Sequence, residues 1–335
     1  MSNLATTADK GKTRTKRYAV RRSVNIYDLI PLILFVTLVS LIFIIKPRLL
    51  NPDFIEVKSN AGLTMVLATV GQGLVLLTGG IDLSIGGVIS LTNSLAATQM
   101  QETLGSVLLW IAIIMGIGLF VGAVNGYVIA VLRVAPFIAT LASWSILNGL
   151  ALLVLDDPGG IAVKPLKALF RGDPLGVPNS LLFVFALVAL WLLFKRSKWG
   201  TRMYAVGSDE PRSHLNGVSY VRVQIMAYML AGLFAALAGI YRTVEVNRGS
   251  PIAGDSFILT SAAAALVGGV ALGGGRGDLI NAILGAFIML FIFDLITFVG
   301  ISSFYTPMVQ GIFLIGAVSL NIVGYRARIR KAREQ

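Results

Sequence analysis

Apolar runs of bilayer-crossing length follow one another along almost the whole chain. They lie near 28–45, 61–78, 83–98, 106–132, 134–155, 179–195, 223–242, 257–272, 279–298 and 305–324. A hydrocarbon core about 30 Å thick takes about 20 residues of helix, and only a helix or a closed barrel satisfies its backbone there. The spacing therefore predicts an all-α polytopic membrane protein with about ten transmembrane helices. The third run is short and follows a glycine-rich break. Charge agrees with this class: 13% of the residues are charged and 56% are hydrophobic, whereas a soluble domain carries about 25% charge.

The net charge of +12 raises the question of a nucleic-acid partner, and the positions of the cations answer it. With ten spans both termini share one side. Twenty of the 28 Lys and Arg then fall on that side: the arm Lys10–Arg22, Arg133, the loop 195–223, Arg276 and the tail 325–333. Cytoplasmic loops carry such an excess, so the pattern reads as topology. The expected organisation is a cytoplasmic basic arm (1–25), one membrane domain (26–324) and a cytoplasmic basic tail (325–335). The arm runs into a span long enough to stay in the membrane, unlike a cleaved leader. Loop 156–180, rich in Gly and Pro, is expected outside as irregular ordered chain.

The stretch TGGIDLSIGG (78–87) places Asp82 between glycine pairs at membrane depth. Irregular backbone survives there only where protein or a water-filled cavity satisfies it. Gly79 and Gly80 let the chain turn, Asp82 or Ser84 can cap the helix that follows, and Gly86 and Gly87 permit close helix packing. Broken helices of this kind border substrate routes in transporters. Polar groups within the apolar spans complete the candidate pathway: Asp82, Ser84, Asn93, Asn125, Thr140, Asn148, Ser261 and Asp294, with Phe137 and Trp144 as rings for a sugar face.

In the loop 195–223, SDEPRSHLNGV (208–218) reads as a short helix across the cytoplasmic face. Asp209, Glu210 and Pro211 suit a first turn, and Gly217 after Asn216 makes a stop. Chemistry of other kinds lacks its residues. There is no Cys and a single His, His214, which leaves no intramembrane nucleophile–base pair or metal cluster. No G-x-x-x-x-G-K-[ST] loop occurs, and GGGRGD (273–278) lacks the lysine that grips phosphate.

At these residues the chain resembles a known family. TGGIDLSIGG, NGYVIAVLRVAPFIATLAS (125–143), GTRMYAVGSDEPRSHLNGV (200–218) and LVGGVALGGGRGDLINAILGAFI (266–288) are similar, in order, to the permease subunits of bacterial ABC importers of the ribose, galactose, arabinose and xylose type. The resemblance spans roughly 60–322. It implies an inner-membrane subunit moving a monosaccharide, with ATP and Mg held by a separate cytoplasmic ATPase and no cofactor in this chain. Its implied partners are that ATPase, a second permease copy or paralogue, membrane lipid and a periplasmic sugar-binding protein. Gly207, Ser208, Asp209, Glu210, Leu215, Asn216 and Gly217 would receive the ATPase. The chain departs from the family in FILTSAAAALVGG (257–269), which has no carboxylate, and in Asp294, Pro211 and His214. Intramembrane carboxylates also relay protons, so the alternative is a proton-coupled secondary transporter using Asp294 and Asp82. No Lys, Arg or His inside the spans is expected to pair with Asp294.

Overall fold

The computed structural model describes residues 26–49, 51, 53–172 and 176–300, with scattered positions between 302 and 319. The basic arm 1–25 and the tail 325–335 lie outside the described residues, as does most of the run 305–324. Twelve helices fill the described chain: α1 (Ile26–Ile45), α2 (Asp53–Leu77), α3 (Ser84–Gln99), α4 (Leu104–Ala130), α5 (Pro136–Val154), α6 (Lys164–Phe170), α7 (Asn179–Arg196), α8 (Lys198–Ser208), α9 (Glu210–Leu215), α10 (Tyr220–Val246), α11 (Phe257–Val267) and α12 (Leu279–Phe298). Among these residues there is no strand, only an isolated bridge between Gly159 and Gly249.

Six helices are long and apolar enough to cross a membrane: α2, α4, α5, α7, α10 and α12. α1 offers a shorter apolar stretch, Leu29–Ile45. α3 and α11 have 16 and 11 residues, or about 24 and 16 Å at 1.5 Å per residue. Both are short because each borders a glycine break.

The bundle is built around α2 and α10. In their most apolar windows 89% of α2 and 61% of α10 is buried, against 17–22% of α4, α5 and α7, which turn much of their surface outward. α10 packs against α4, α2 and α3, and α12 packs against α1, α2 and α11. Glycines set the closest approach. A Cβ on Gly118, Gly122 or Gly126 of α4 would lie 2.3 Å from Gly232 O, 2.1 Å from Tyr228 O and 2.6 Å from Ile225 Cα. These three recur every fourth residue, so they share a helix face and let the α10 backbone touch it.

Four segments depart from the sequence expectation. α2 begins at Asp53, two turns before 61, so Lys58 is helical and not in a loop. α11 ends at Val267, not 272, because Gly269 (φ +86°) turns the chain. The loops 156–180 and 195–223 are more ordered than expected. The first contains α6, and the second contains α8 and α9 and ends where α10 begins at Tyr220.

The glycine face of α4 gives the first test. Gly122→Leu should destabilise the protein by about 3 kcal/mol through backbone overpacking. Gly116→Leu on the same helix meets nothing within 4 Å and should be tolerated. Thermal unfolding followed by size-exclusion chromatography in detergent separates the two.

Candidate functional site

The expected break is present. α2 ends in a turn in which Gly79 N bonds Leu76 O (2.9 Å) and Gly80 N bonds Val75 O (3.1 Å). This is a Schellman cap, and it requires the left-handed conformation that Gly79 adopts at φ +83°. The remaining polar groups of the break are met by α10. Gln224 Nε2 donates to Thr78 O at 3.2 Å, Thr78 Oγ1 donates to Gln224 Oε1 at 2.8 Å, and Tyr228 OH donates to Ile81 O at 3.1 Å. Asp82 is buried. Its Oδ1 accepts from Ser84 N (2.8 Å) and Ser84 Oγ (2.6 Å), so the aspartate caps α3 and Ser84 is the first helical residue.

The second glycine segment repeats this geometry. Gly269 N bonds Leu266 O (2.9 Å) and Val270 N bonds Ala265 O (3.0 Å), the same cap as at Gly79. Asp278 Oδ1 then accepts from Ile280 N at 3.1 Å and starts α12, as Asp82 starts α3. Asp278 is fixed in turn by Trp191 Nε1 (2.7 Å) and by an ion pair with Lys195.

These two breaks meet each other and the end of α8. Gly275 N donates to Leu77 O at 2.8 Å. A Cβ on Gly207 would lie 2.0 Å from Leu77 O and 2.5 Å from Gly275 N, and one on Gly274 would lie 2.7 Å from Gly79 N. Ser208 Oγ donates to Tyr204 O (2.7 Å) and reaches Gly275 O (3.3 Å), while Tyr204 OH donates to Gly277 O (2.7 Å). Backbone therefore touches backbone at one node drawn from three distant parts of the sequence.

From that node the chain enters α9, the short helix expected at 208–218. Asp209 caps it by accepting from Arg212 N at 2.9 Å. Gly217, at φ +75°, closes it with a third Schellman cap: Gly217 N bonds His214 O (2.9 Å) and Val218 N bonds Ser213 O (3.0 Å). Asn216 Nδ2 donates to Arg212 O, and Leu215 stands 85% exposed at the tip. Glu210 pairs with Arg133 at 2.9 Å, and the Arg133 guanidinium lies 4.6 Å from the Tyr220 ring centroid. The bond to Glu210 raises the pKa of Arg133 above its ordinary value, so it stays charged. α8 thus contacts the two breaks, and α9 contacts the α4–α5 turn.

The ten candidate pathway residues fall into two clusters and five separate positions. In the first cluster Asn125 Nδ2 donates to Ser84 Oγ (2.9 Å), extending the Asp82–Ser84 pair, and Asn125 Oδ1 accepts from Ser143 Oγ (2.5 Å). The second lies about one turn further along α3 and α5, where Gly254 packs against Gly86. There Trp144 Nε1 and Asn148 Nδ2 both donate to Asp255 Oδ1, at 3.2 and 3.1 Å. Asn93, in contrast, ties α3 to the end of α10, donating to Thr243 Oγ1 (2.8 Å) and accepting from Ser250 N (2.7 Å). Thr140 and Ser261 are buried with their hydroxyls turned to Pro136 O and Ile258 O of their own helices. Phe137 is 55% exposed on α5.

Asp294 requires a correction. It pairs with Lys58 at 2.7 Å, because the early start of α2 brings that lysine into the bundle. Sequence reading also passed over Ser143, Gln224, Tyr228, Asp255 and Asp278. Gln224 and Tyr228 sit one turn apart on α10, a polar pair in an apolar helix that could have been noticed.

Residues 59–318 match a protein family described as the permease component of a branched-chain amino acid transport system. The chain belongs to that family. Similar curated proteins include the ribose import permease protein RbsC of Bacillus subtilis, 37% identical over 84% of this chain and 89% of its own length. RbsC of Escherichia coli K12 is 30% identical over 86% and 91%, and the galactose/methyl galactoside import permease protein MglC of Haemophilus influenzae is 29% identical over 88% and 94%. No solved structure matches the chain. Both clusters, the node and α9 lie inside the matched segment.

For this permease the node predicts a sharp contrast between neighbouring glycines. Gly207→Ala forces apart two backbone segments at a cost of about 1–3 kcal/mol and should lower transport by roughly tenfold with insertion intact. Gly273→Ala meets nothing within 4 Å and should transport normally in a reconstituted uptake assay. Asn125→Leu strands the Ser143 hydroxyl and removes the donor to Ser84 Oγ, and should lower stability by about 2 kcal/mol, read as a shifted denaturation midpoint.

Proposed function

We infer that this permease is the membrane subunit of a binding-protein-dependent ABC importer and carries a monosaccharide into the cytoplasm. Similarity to ribose and galactose import permeases over more than four-fifths of the chain is the observation that carries the cargo class. The reading gives the chain ten spans in the bacterial inner membrane, with 305–324 as the tenth and both termini cytoplasmic. It supplies the energy from outside. ATP and Mg sit on a separate cytoplasmic ATPase subunit, a second permease copy or paralogue completes the pore, and a periplasmic sugar-binding protein delivers cargo.

In this reading α8 and α9 are the assembly's lever. α9 offers an exposed Leu215 and a rigid Gly217 cap to a groove on the ATPase, with Asp209, Glu210 and Asn216 fixing the helix ends. Gly207 and Ser208 carry its displacement into both glycine breaks. Small shifts become rigid-body rocking where packed contacts have discrete arrangements. Asp82, Ser84 and Asn125 lie just beyond the first break, at the start of α3, where rocking would open or close a polar route. Asp294, neutralised by Lys58, is poorly placed to act as a lone proton carrier.

Leu215→Asp and Gly217→Trp test the lever in liposomes holding the complete transporter. Each should leave insertion and basal ATP hydrolysis unchanged and abolish sugar uptake. Undiminished uptake in both variants contradicts the assignment of α9.

A further inference from the structure

At the end of the bundle opposite the node, the protein has a partly open pocket of about 360 Å³, inside the range of small-molecule sites. It lies between α3, the end of α10 and the turn leading to α11. Its polar wall is Asn93, Arg242, Arg248, Ser250, Asp255 and Ser256. Asp255 is its one acid, and it is held in place from α5 by Trp144 and Asn148, which both bond Oδ1. No described residue bonds its Oδ2, which leaves a fixed acceptor facing a partly open space. Beside it, Asn148 Oδ1 is buried without a partner.

The donors are also prearranged. Arg242 pairs with Glu245 at 2.8 Å and lies 5.7 Å from the Phe257 ring centroid, while Arg248 Nη2 donates to Pro158 O. A guanidinium has five N–H donors, so each keeps some to spare. Arg242 is occupied by Glu245, whose carbonyl also takes Arg171, while Asp255 lies in the same wall as Arg248. A site with both spare donors and a spare acceptor suits a polyhydroxylated ligand, whose hydroxyls both give and accept hydrogen bonds.

We propose that this outer cavity is a low-affinity monosaccharide subsite, in which Asp255 Oδ2 accepts sugar hydroxyls and Arg242 and Arg248 donate to them. Trp144 and Asn148 are positioning residues that aim Asp255. The site takes sugar at the outer end before it reaches the Asp82 break. This deepens the importer reading above and rests on it.

The absence of Cys makes the test clean. Ile252 lines the cavity and is 59% exposed, and Ile161, 58% exposed, lies on a neighbouring outer loop outside it. Ile252→Cys and Ile161→Cys are each labelled with a membrane-impermeant maleimide in the complete transporter, with D-ribose, D-galactose, D-xylose or L-arabinose added. A sugar that the transporter imports should slow labelling of Ile252→Cys about tenfold at ten times its Kd and leave Ile161→Cys unaffected. Adding Asp255→Asn should remove the protection, and Trp144→Phe should weaken it. Import without protection overturns the subsite and leaves the importer standing. Protection by the binding protein alone, without sugar, makes the cavity a docking face and also overturns it. Import of none of the four sugars removes the importer reading and the subsite together.

Discussion

A helix that stops within a packed bundle leaves amides and carbonyls without partners in their own helix, and those buried from water must find one elsewhere in the protein. This chain stops twice, after Leu77 and after Val267, and the two stops are solved together. Each uses a glycine in the left-handed conformation to close its own last turn. Leu77 O, beyond the reach of its own helix, is taken by Gly275 N from the other break. Side chains of α10 satisfy Thr78 O and Ile81 O. None of these bonds tolerates separation without stranding buried polar groups, so the two breaks behave as one body.

That constraint explains why the loop 195–223 is ordered. Gly207 sits where any side chain would collide with Leu77 O, so α8 docks by backbone on the paired breaks. α9 continues from it and is anchored separately through Glu210 to Arg133. α9 is therefore connected to α3 and α12 through their common origin and to α5 through the α4–α5 turn. At the far end the same helices close over the outer cavity, through Asn93 on α3 and the α5 residues that hold Asp255. α9 and the outer cavity are linked by the helices that pack on the breaks.

Local patterns carried the sequence reading a long way. The break after Thr78, the Asp82 cap, the close packing at Gly86 and Gly87 and the limits of α9 each depend on residues adjacent in sequence, so spacing and turn chemistry reveal them. A Cβ on Gly86 would stand 2.3 Å from Ile258 Cγ1, and one on Gly87 2.8 Å from Leu147 Cβ. What escaped depends on pairing across the sequence. Glu56 and Lys58 look like loop residues until Asp294 is folded against Lys58. Asp255 sits in a loop with no local motif, and its role comes from α5. α8 has mixed polarity, and only its docking on the breaks gives it a buried face at Gly200, Met203 and Val206. The every-fourth-residue glycines of α4 were legible in principle, yet nothing local names α10 as their partner.

The claim that the paired breaks move as one unit can be met directly by determining the complete transporter by cryo-electron microscopy with and without a non-hydrolysable ATP analogue. The outer ends of α3 and α12 should change position between the two states. Gly275 N should stay bonded to Leu77 O, and Gly207 should stay against them, in both. Separation of Leu77 from Gly275 in either state of an active transporter would contradict it.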